Sequence, residues 1–476
     1  MQSPKSEKRL FQLLQEHRKY GALPMHMPGH KRNCSAPYLQ ALGASLDITE
    51  INGFDNLHSA CGILQEAMDR AAHRWGCRKS YFLVGGSTCG ILAGIYAAIE
   101  RGERILMARN CHRSVYNAVE LTGASPVYLT PQWDPNWGLQ GPITPEQVKA
   151  AIAENPDVGL VVLTSPTYDG ILSEVAEIAD VVHAAGIPLL VDEAHGAHLD
   201  LSPYFTGGAV KGGADLVVQS LHKTLPSLTQ TAIAHVCTDR IDMRRFSDAL
   251  AIFETSSPSY LLLASIDECL HHMDESAFEM WNAAIEENRS AFSSLAKLCV
   301  LGYGDTVPLP SWRRDFSKLL VGTNFSDLTG PELAALLRRQ YNMEVEMAAG
   351  GYVLAMTGPG DTGETIGAFA KALCEIDRSC KTSTPCPCPA PPVPERICGI
   401  YAAKRGRHSI VDRRQALGKI SGEYIYAYPP GIPLVVPGER MDRDVLAYLD
   451  ALASQGVALH SDMEDAPGHF SVLSPI

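Results

Sequence analysis

The sequence is short of positive charge. Its 40 lysines and arginines are outnumbered by 53 aspartates and glutamates, and its formal net charge is −13. Nucleic acid is not expected as a partner, because binding to phosphates needs a basic surface. An acidic surface keeps a protein soluble, and it also attracts cationic substrates.

The sequence also lacks a clear membrane span, a secretory signal and a disulfide framework. Residues 80–99 carry no charge and reach transmembrane length, but a Gly-Gly-Ser-Thr turn at 85–88 interrupts them. We interpret them as a strand, a turn and a buried helix. Residues 1–32 are charged and have no apolar core of the secretory type. The 13 cysteines show neither disulfide nor zinc spacing, which predicts a cytoplasmic protein without a metal site.

Apolar runs alternate with helix signals between residues 80 and 236. The predicted strands are Tyr81–Val84, Arg104–Ala108, Pro126–Leu129, Val158–Leu163, Ile187–Val191, Asp215–Gln219 and Thr231–Val236. They are mostly continuous apolar runs, as expected when helices cover both faces of a parallel sheet. The alternation predicts an α/β fold with a mostly parallel sheet.

Changes of composition predict the domain boundaries. A chain of 476 residues is long enough for two or three domains. We expect an N-terminal helix and arm over residues 1–50, and a large domain over 51–300. A small α/β domain is expected over 301–380, a proline-rich linker over 381–395 and a C-terminal domain over 396–476.

Asp192 and Lys223 follow two of the predicted strands. A lysine and an aspartate at the carboxyl ends of buried strands suit pyridoxal phosphate as a cofactor. The lysine amine would form a Schiff base with its aldehyde, and the carboxylate would keep its ring nitrogen protonated. A protonated ring is an electron sink that makes a carbanion at the α-carbon of an amino acid accessible.

A glycine-rich turn, Gly85–Gly90, joins the first predicted strand to a helix. Glycines let the backbone approach a ligand closely, and the free amides of a helix N-terminus attract an anion. Alone, such a turn is as consistent with an ordinary strand-to-helix connection as with a phosphate-binding site. With Asp192 and Lys223 downstream, we expect Gly86, Ser87 and Thr88 to hold the cofactor phosphate.

Further polar residues surround these two. His195 is placed to reach the phenolic oxygen of the cofactor. Asp192, Glu193, His195 and His198 could alternatively hold a metal ion, but a metal site leaves the lysine and the glycine turn unexplained. Another histidine, His112, is a candidate for stacking on the cofactor ring, with a packed structural role as the alternative.

Several motifs resemble the bacterial ornithine/lysine/arginine decarboxylase family. They are Arg109–Ser114, Val191–His198, Ser220–Gln230, Tyr428–Leu434 and Pro437–Glu439. The arm Met27–Lys31 also resembles the short members of the family, which lack the N-terminal wing domain of the long inducible members.

The resemblance implies fold type I of the pyridoxal phosphate enzymes, the aspartate aminotransferase fold. It implies that Lys223 is the imine lysine, Asp192 the ring-nitrogen partner and His112 the stacking base. The phosphate ligands that it implies are Ser87, Thr88, Ser220 and His222.

The active sites of this family lie at a dimer interface, so a homodimer or a higher homo-oligomer is expected. Ser257 precedes a predicted helix and would serve the cofactor of the neighbouring subunit; a plain N-cap turn is the alternative. Glu439 and Glu423 are candidates for binding the distal cation of the substrate.

The expected reaction is decarboxylation of a basic amino acid to its amine and CO2, with pyridoxal phosphate as cofactor, in polyamine metabolism. Arginine is the favoured substrate, and lysine and ornithine remain open. Lys223 or His222 would return the proton to the α-carbon. One alternative is an aminotransferase or aldolase on the same fold. The other is a non-catalytic cofactor-binding paralogue, against which the intact set of Lys223, Asp192 and His112 argues.

Overall fold

A computed structural model describes residues 8–32, 37–304, 311–385, 387–428, 431–462 and 468–474. Tertiary contacts divide the chain into two units that are each discontinuous in sequence. The first unit comprises the residues up to Ala98 together with Val175–Glu279, and the second comprises Ile99–Glu174 and the residues from Met280 onwards. The domain boundaries expected from composition stay a prediction.

The α-helices of the described residues are given in chain order. They are α1 (Leu10–Tyr20), α2 (Pro37–Ala41), α3 (Ile63–Trp75), α4 (Gly86–Ala98), α5 (Arg113–Thr122), α6 (Pro145–Glu154), α7 (Val175–Ala184), α8 (Leu221–Thr224), α9 (Met243–Phe253), α10 (Tyr260–His272), α11 (Glu275–Glu286), α12 (Arg289–Ser293), α13 (Gly330–Tyr341), α14 (Gly363–Ser379), α15 (Ile400–Arg405), α16 (Arg413–Ala416) and α17 (Arg443–Ser454). None of these helices combines the length and apolar character needed to cross a membrane.

The strands follow the same order along the chain. They are β1 (Lys79–Leu83), β2 (Arg104–Ala108), β3 (Ser125–Leu129), β4 (Trp133–Asp134), β5 (Leu139–Gln140), β6 (Val158–Thr164), β7 (Leu189–Asp192), β8 (Leu216–Ser220), β9 (Ala232–Val236), β10 (Cys299–Val300), β11 (Lys318–Gly322), β12 (Met347–Ala349), β13 (Tyr352–Met356), β14 (His408–Asp412), β15 (Ile425–Ala427), β16 (Ile432–Val435), β17 (Leu459–Ser461) and β18 (His469–Leu473). All seven predicted strands are present, with ends shifted by at most two residues.

In the first unit the strand order is β1-β9-β8-β7. β7 and β8 are parallel, whereas β9 runs antiparallel to both β8 and β1. Every residue of β7, β8 and β9 is buried, which explains their continuous apolar runs. β1 therefore runs in the same direction as β7 and β8, and β9 is the one reversed strand of these four, so the expectation of a mostly parallel sheet is confirmed.

In the second unit β2 lies between β6 and β3 and is parallel to both. A four-stranded antiparallel sheet with the order β10-β11-β13-β12 follows later in the chain. The last residues form two small antiparallel sheets, and helix α17 contributes Val445 and Leu449 to a local apolar core. These elements together make the α/β architecture that the sequence predicts.

Local sequence signals set several helix ends. The Thr144 hydroxyl accepts a hydrogen bond from the Gln147 amide at 3.3 Å, and the Gln147 side chain accepts one from the Thr144 amide at 2.9 Å, so α6 begins in a capping box. Gly21 has φ +70° and ends α1. Residues 1–7 of the expected N-terminal helix and arm lie outside the described residues.

Candidate active site

Lys223 lies in the short helix α8, which begins directly after β8. Its Nζ lies 3.0 Å from Nε2 of His195, close enough for an ammonium group to donate a hydrogen bond to the imidazole. β7 is the parallel neighbour of β8, and Asp192 at its end is in register with Val218. Since the carboxyl ends of parallel strands meet at one edge of a sheet, Asp192, His195 and Lys223 belong to the same edge.

Asp192 is buried, with 3% of its surface exposed. Its Oδ1 accepts a hydrogen bond from the Ala194 amide at 3.1 Å. A buried carboxylate is costly unless it meets hydrogen-bond donors or an opposite charge. A protonated pyridine nitrogen is a group of the kind that would offset this cost.

The side chain of Glu193, the next residue, forms hydrogen bonds inside the first unit. Its Oε1 accepts from the Ala209 amide at 2.6 Å, and its Oε2 accepts from the Gln219 side chain at 2.7 Å. Burial raises the pKa of Glu193 to about 8, while the Gln219 and Ala209 hydrogen bonds act in the opposite direction. Among the described residues, no three histidine, cysteine or acidic side chains are grouped so as to hold a metal ion.

A hydrogen-bonded chain continues from Glu193 through the interior of the first unit. The Gln219 side-chain oxygen lies 3.1 Å from Nε2 of His235, and Nδ1 of that ring lies 2.8 Å from the Ser80 hydroxyl. Because Gln219 donates to Glu193, its oxygen is free to accept from His235, so we assign the proton of the ring to Nε2. Burial lowers the pKa of His235 to about 3, which keeps the ring neutral.

The glycine turn opens α4 as predicted, and Gly86 has φ +72°. An acid that sequence reasoning missed lies against it. Glu254 Oε2 accepts from the amides of Val84 and Gly85 at 3.1 and 3.2 Å and from the Cys89 thiol at 3.1 Å. No local sequence signal points to this contact, since Glu254 lies 170 residues from Val84 in the chain.

Helix α4 packs closely on the sheet at a glycine. A Cβ on Gly90 would lie 2.7 Å from a Leu83 methyl carbon and 2.9 Å from one of Val218, which is closer than side chains normally approach. Gly90 therefore allows the helix to start directly above the strands, and its N-terminal amides lie close to the sheet edge.

Two residues beside Lys223 were predicted to bind phosphate. The Ser220 hydroxyl is buried and has no hydrogen-bond partner within the described part of the chain, so it offers a donor to an added anion. Nδ1 of His222 lies 2.8 Å from the Thr231 carbonyl and must donate to it, which leaves Nε2 for another group. Burial lowers the pKa of His222, and Lys223 lowers it further. The Ser220 hydroxyl is therefore a donor for a phosphate group, whereas His222 would donate from Nε2 only with its ring protonated.

The other predicted site residues of the first unit are more exposed. Thr88 is exposed and Ser87 is half-buried at the start of α4. Ser257 is exposed, and its amide donates to the Thr255 hydroxyl at 3.2 Å, in the loop that precedes α10.

His112 belongs to the second unit, where it caps α5. Its Nδ1 accepts from the Ser114 amide at 3.2 Å and lies 2.9 Å from the Ser114 hydroxyl. These contacts through Nδ1 fix the orientation of the imidazole ring. Stacking on a cofactor ring stays a prediction.

The two predicted substrate carboxylates are buried within the second unit. Glu439 Oε2 pairs with Arg109 at 3.1 Å and accepts from the Val436 amide at 2.8 Å. Burial raises the pKa of Glu439, and Arg109 opposes that shift. Glu423 accepts from the Ser471 amide at 2.7 Å, and its pKa is raised by burial. Any substrate cation would have to compete with Arg109 for Glu439, so this part of the prediction has the least geometric support.

A family model described as the major domain of Orn/Lys/Arg decarboxylases matches residues 8–300, more than half of the chain. The chain belongs to this family. The C-terminal domain model of the same family matches residues 399–459. The protein is therefore a decarboxylase enzyme, and the resemblance noted in its motifs is confirmed.

Individual relatives agree with this assignment. The chain is 29% identical to an arginine decarboxylase of Halalkalibacterium halodurans over 469 residues, covering 96% of this chain and 95% of the relative. It is 28% identical to the lysine decarboxylase LdcA of Pseudomonas aeruginosa over 293 residues, covering 54% of this chain and 38% of the relative.

A solved structure is similar over nearly the whole chain. The constitutive lysine decarboxylase of E. coli superposes with a TM-score of 0.80 at 19% identity, covering 98% of this chain and 82% of that one. At this identity the likeness concerns the fold alone. It confirms the predicted fold class, fold type I of the pyridoxal phosphate enzymes.

Proposed function

We propose that this decarboxylase holds pyridoxal phosphate on its first unit and acts on a basic amino acid, arginine first. The proposal rests on the position of Lys223, whose Nζ lies 3.0 Å from Nε2 of His195. Lys223 lies at the same edge of the sheet as Asp192, the last residue of β7. When bound, the cofactor supplies an electron sink for the charge left by the loss of CO2.

The residues of this chain have separate tasks in the proposal. Lys223 offers the amine that tethers the cofactor, and Asp192 holds the proton on its ring nitrogen. The phosphate is held by the amides that open α4 and by the side chains of Ser87, Thr88 and Ser220, and by His222 when its ring is protonated. His195 receives a hydrogen bond from the amine of Lys223 and so orients it.

Proton return to the α-carbon falls to His222 or Lys223. His222 donates through Nδ1 to the Thr231 carbonyl, and its lowered pKa keeps the ring neutral near pH 7. A neutral ring bound in this way has its Nε2 unprotonated, so it accepts a proton before it can give one. Lys223 carries transferable protons directly and is our first choice.

Arginine is favoured because a relative named as an arginine decarboxylase aligns over 96% of this chain. A carboxylate would recognise the distal guanidinium through charge-assisted hydrogen bonds. Glu439 and Glu423 are the proposed carboxylates, and both are buried. We further propose a cytoplasmic homodimer, or a higher homo-oligomer, that serves polyamine metabolism.

The test is incubation of the purified protein with arginine, lysine and ornithine separately, with CO2 release measured and the amine identified. We expect agmatine from arginine at the highest kcat/KM. Release of ammonia or transfer of the amino group to a keto acid, without CO2, would contradict the proposal.

The substitution Lys223→Ala tests whether Lys223 binds the cofactor. This variant should lose the visible absorbance of the lysine-bound cofactor and nearly all turnover while keeping its folded far-UV signature. Lys211→Ala removes an exposed lysine of the same unit and should leave both signals unchanged. Retained turnover in the Lys223 variant would remove Lys223 from its role.

A further inference from the structure

The second unit contains a hollow of about 170 Å3. Its wall is formed by the β4–β5 hairpin, residues 347–352, the proline-rich segment after residue 387, and helix α17. Most of the lining is apolar, and it includes Trp133, Trp137 and Tyr448. None of the residues proposed to hold the cofactor or the substrate lines it.

Hydrogen bonds join the segments of this wall. The Trp133 indole donates to the Cys388 carbonyl at 3.0 Å, and the Cys388 amide donates to the Pro135 carbonyl at 2.8 Å. Gly138 has φ +66°, and a Cβ there would lie 3.1 Å from the Cys388 sulfur. These contacts tie together parts of the chain that are 255 residues apart in sequence. Specific hydrogen bonds and close packing therefore hold the wall of this cavity in place.

Asp169 is the only charged residue among the described residues of the lining. Its carboxylate accepts a hydrogen bond from the Tyr352 hydroxyl at 2.8 Å, and a carboxylate has room for further donors. Burial raises the pKa of Asp169, with Tyr352 and Lys318 opposing the shift. A cation placed beside the carboxylate would stabilise its charged form.

We propose that this hollow binds a small amphipathic amine, with its ammonium group on Asp169 and its apolar body among Trp133, Trp137 and Tyr448. Aromatic residues stabilise both an apolar body and a nearby cation. The volume exceeds the roughly 150 Å3 that accepts benzene. By this comparison the space suits one aromatic ring with a short aminoalkyl arm.

Lys318 sets a limit on the affinity. Its ammonium group donates to the Tyr168 carbonyl at 2.9 Å and also acts electrostatically on Asp169. The ligand amine and Lys318 therefore share one carboxylate. Binding should be modest, and it should depend on the charge of the ligand.

The experiment titrates the protein with 2-phenylethylamine and, as a neutral isostere, with 2-phenylethanol. Prior treatment with borohydride fixes any cofactor on its lysine, so the amine cannot exchange there. Tryptophan fluorescence and calorimetry report binding, and Trp133→Phe and Trp137→Phe assign the signal to the hollow. We expect saturable binding, with the amine about tenfold tighter than the alcohol, as one charge-assisted hydrogen bond provides.

Asp169→Asn should remove this preference, so that the amine and the alcohol bind alike. Asp157→Asn, at an exposed position of the same unit, is the control and should keep it. The proposal is overturned if neither compound gives a saturable signal, or if the unaltered protein binds both equally. If the Asp169 variant does not fold, the comparison of amine with alcohol in the unaltered protein still tests the proposal. A protein that fails to decarboxylate would contradict the proposed function and leave this test unaffected.

Discussion

At the scale of single residues, the chemistry depends on two adjacent acids that have different partners. Asp192 ends β7 at the sheet edge, whereas Glu193 turns to Gln219 and Ala209 inside the unit. Successive side chains of an extended backbone point to opposite sides. One carboxylate is thereby available to a cofactor while its neighbour anchors the backbone that carries it.

Replacing Asp192 by asparagine tests the ring-nitrogen role. We expect Asp192→Asn to retain some cofactor but to lower kcat by about two orders of magnitude or more, because a neutral partner leaves the ring a poorer electron sink. The measurement is turnover per bound cofactor, with Asp180→Asn, an exposed position in α7, as the control. Near-normal turnover would rule out the proposed contact.

Glu254 is tested through cofactor affinity. Both of its oxygens accept from donors, Oε2 from Val84, Gly85 and Cys89 and Oε1 from the Thr255 amide at 3.0 Å. In Glu254→Gln an NH2 group must face one of these donors, which leaves buried amides unsatisfied.

We expect that variant to release pyridoxal phosphate about tenfold more readily, as one lost hydrogen bond to a charged group implies. Absorbance titration of the cofactor measures it, and Glu279→Gln, at an exposed position of α11, is the control. Unchanged affinity would show that Glu254 does not support the phosphate-binding turn.

At the scale of elements, the strands of the first unit are linked by polar side chains as well as by backbone pairing. Ser80 on β1, His235 on β9 and Gln219 on β8 form a hydrogen-bonded row that reaches Glu193 just beyond β7. All four residues are buried. A buried row of this kind stabilises only when every member has a partner.

This row predicts a dependence of stability on pH. Since the pKa of Glu193 is about 8 in the folded protein, against an ordinary value of 4.5, the folded state binds a proton more tightly than the unfolded state. The resulting stabilisation is complete below about pH 4.5 and is lost as pH rises to about 8.

Glu193→Gln removes that titration. Its free energy of unfolding, measured by urea denaturation, should therefore fall less between pH 5 and 8.5 than that of the unaltered protein, by an amount on the order of a few kcal/mol. Parallel curves for the two proteins would mean that Glu193 titrates near its ordinary pKa.

At the scale of the whole molecule, the proposed dimer implies shared sites. Ser257 lies exposed in the loop before α10, where it is accessible to a second subunit. If Ser257 serves the neighbour's cofactor, Lys223→Ala and Ser257→Trp fall in the same site of a mixed dimer, and the other site is assembled from two intact parts.

Mixing two inactive variants tests this arrangement. Equal amounts of the Lys223→Ala and Ser257→Trp proteins, dissociated and reassembled together, should regain about a quarter of the original activity, since half of the dimers are mixed and each has one intact site. The same variants reassembled separately are the control. No recovery would place Ser257 outside the neighbour's site.

Much of the fold and part of the candidate site follow from local patterns in the sequence. Continuous apolar runs located all seven strands of the α/β region, because burial on both faces leaves that signature in the sequence itself. The motifs around Lys223 and Asp192 predicted the family by resemblance, and a lysine and an aspartate at the ends of buried strands predicted pyridoxal phosphate.

Only the tertiary structure decided the reversed direction of β9, the hydrogen-bond partners of Glu254 and Glu193, and the cavity at Asp169. Each depends on groups that are distant in sequence and have no local pattern in common. The sequence by itself determined which segments are buried and which side chains end them. Folding then decided which of those side chains meet, because hydrogen bonds and ion pairs act over a few ångströms in space and not along the chain.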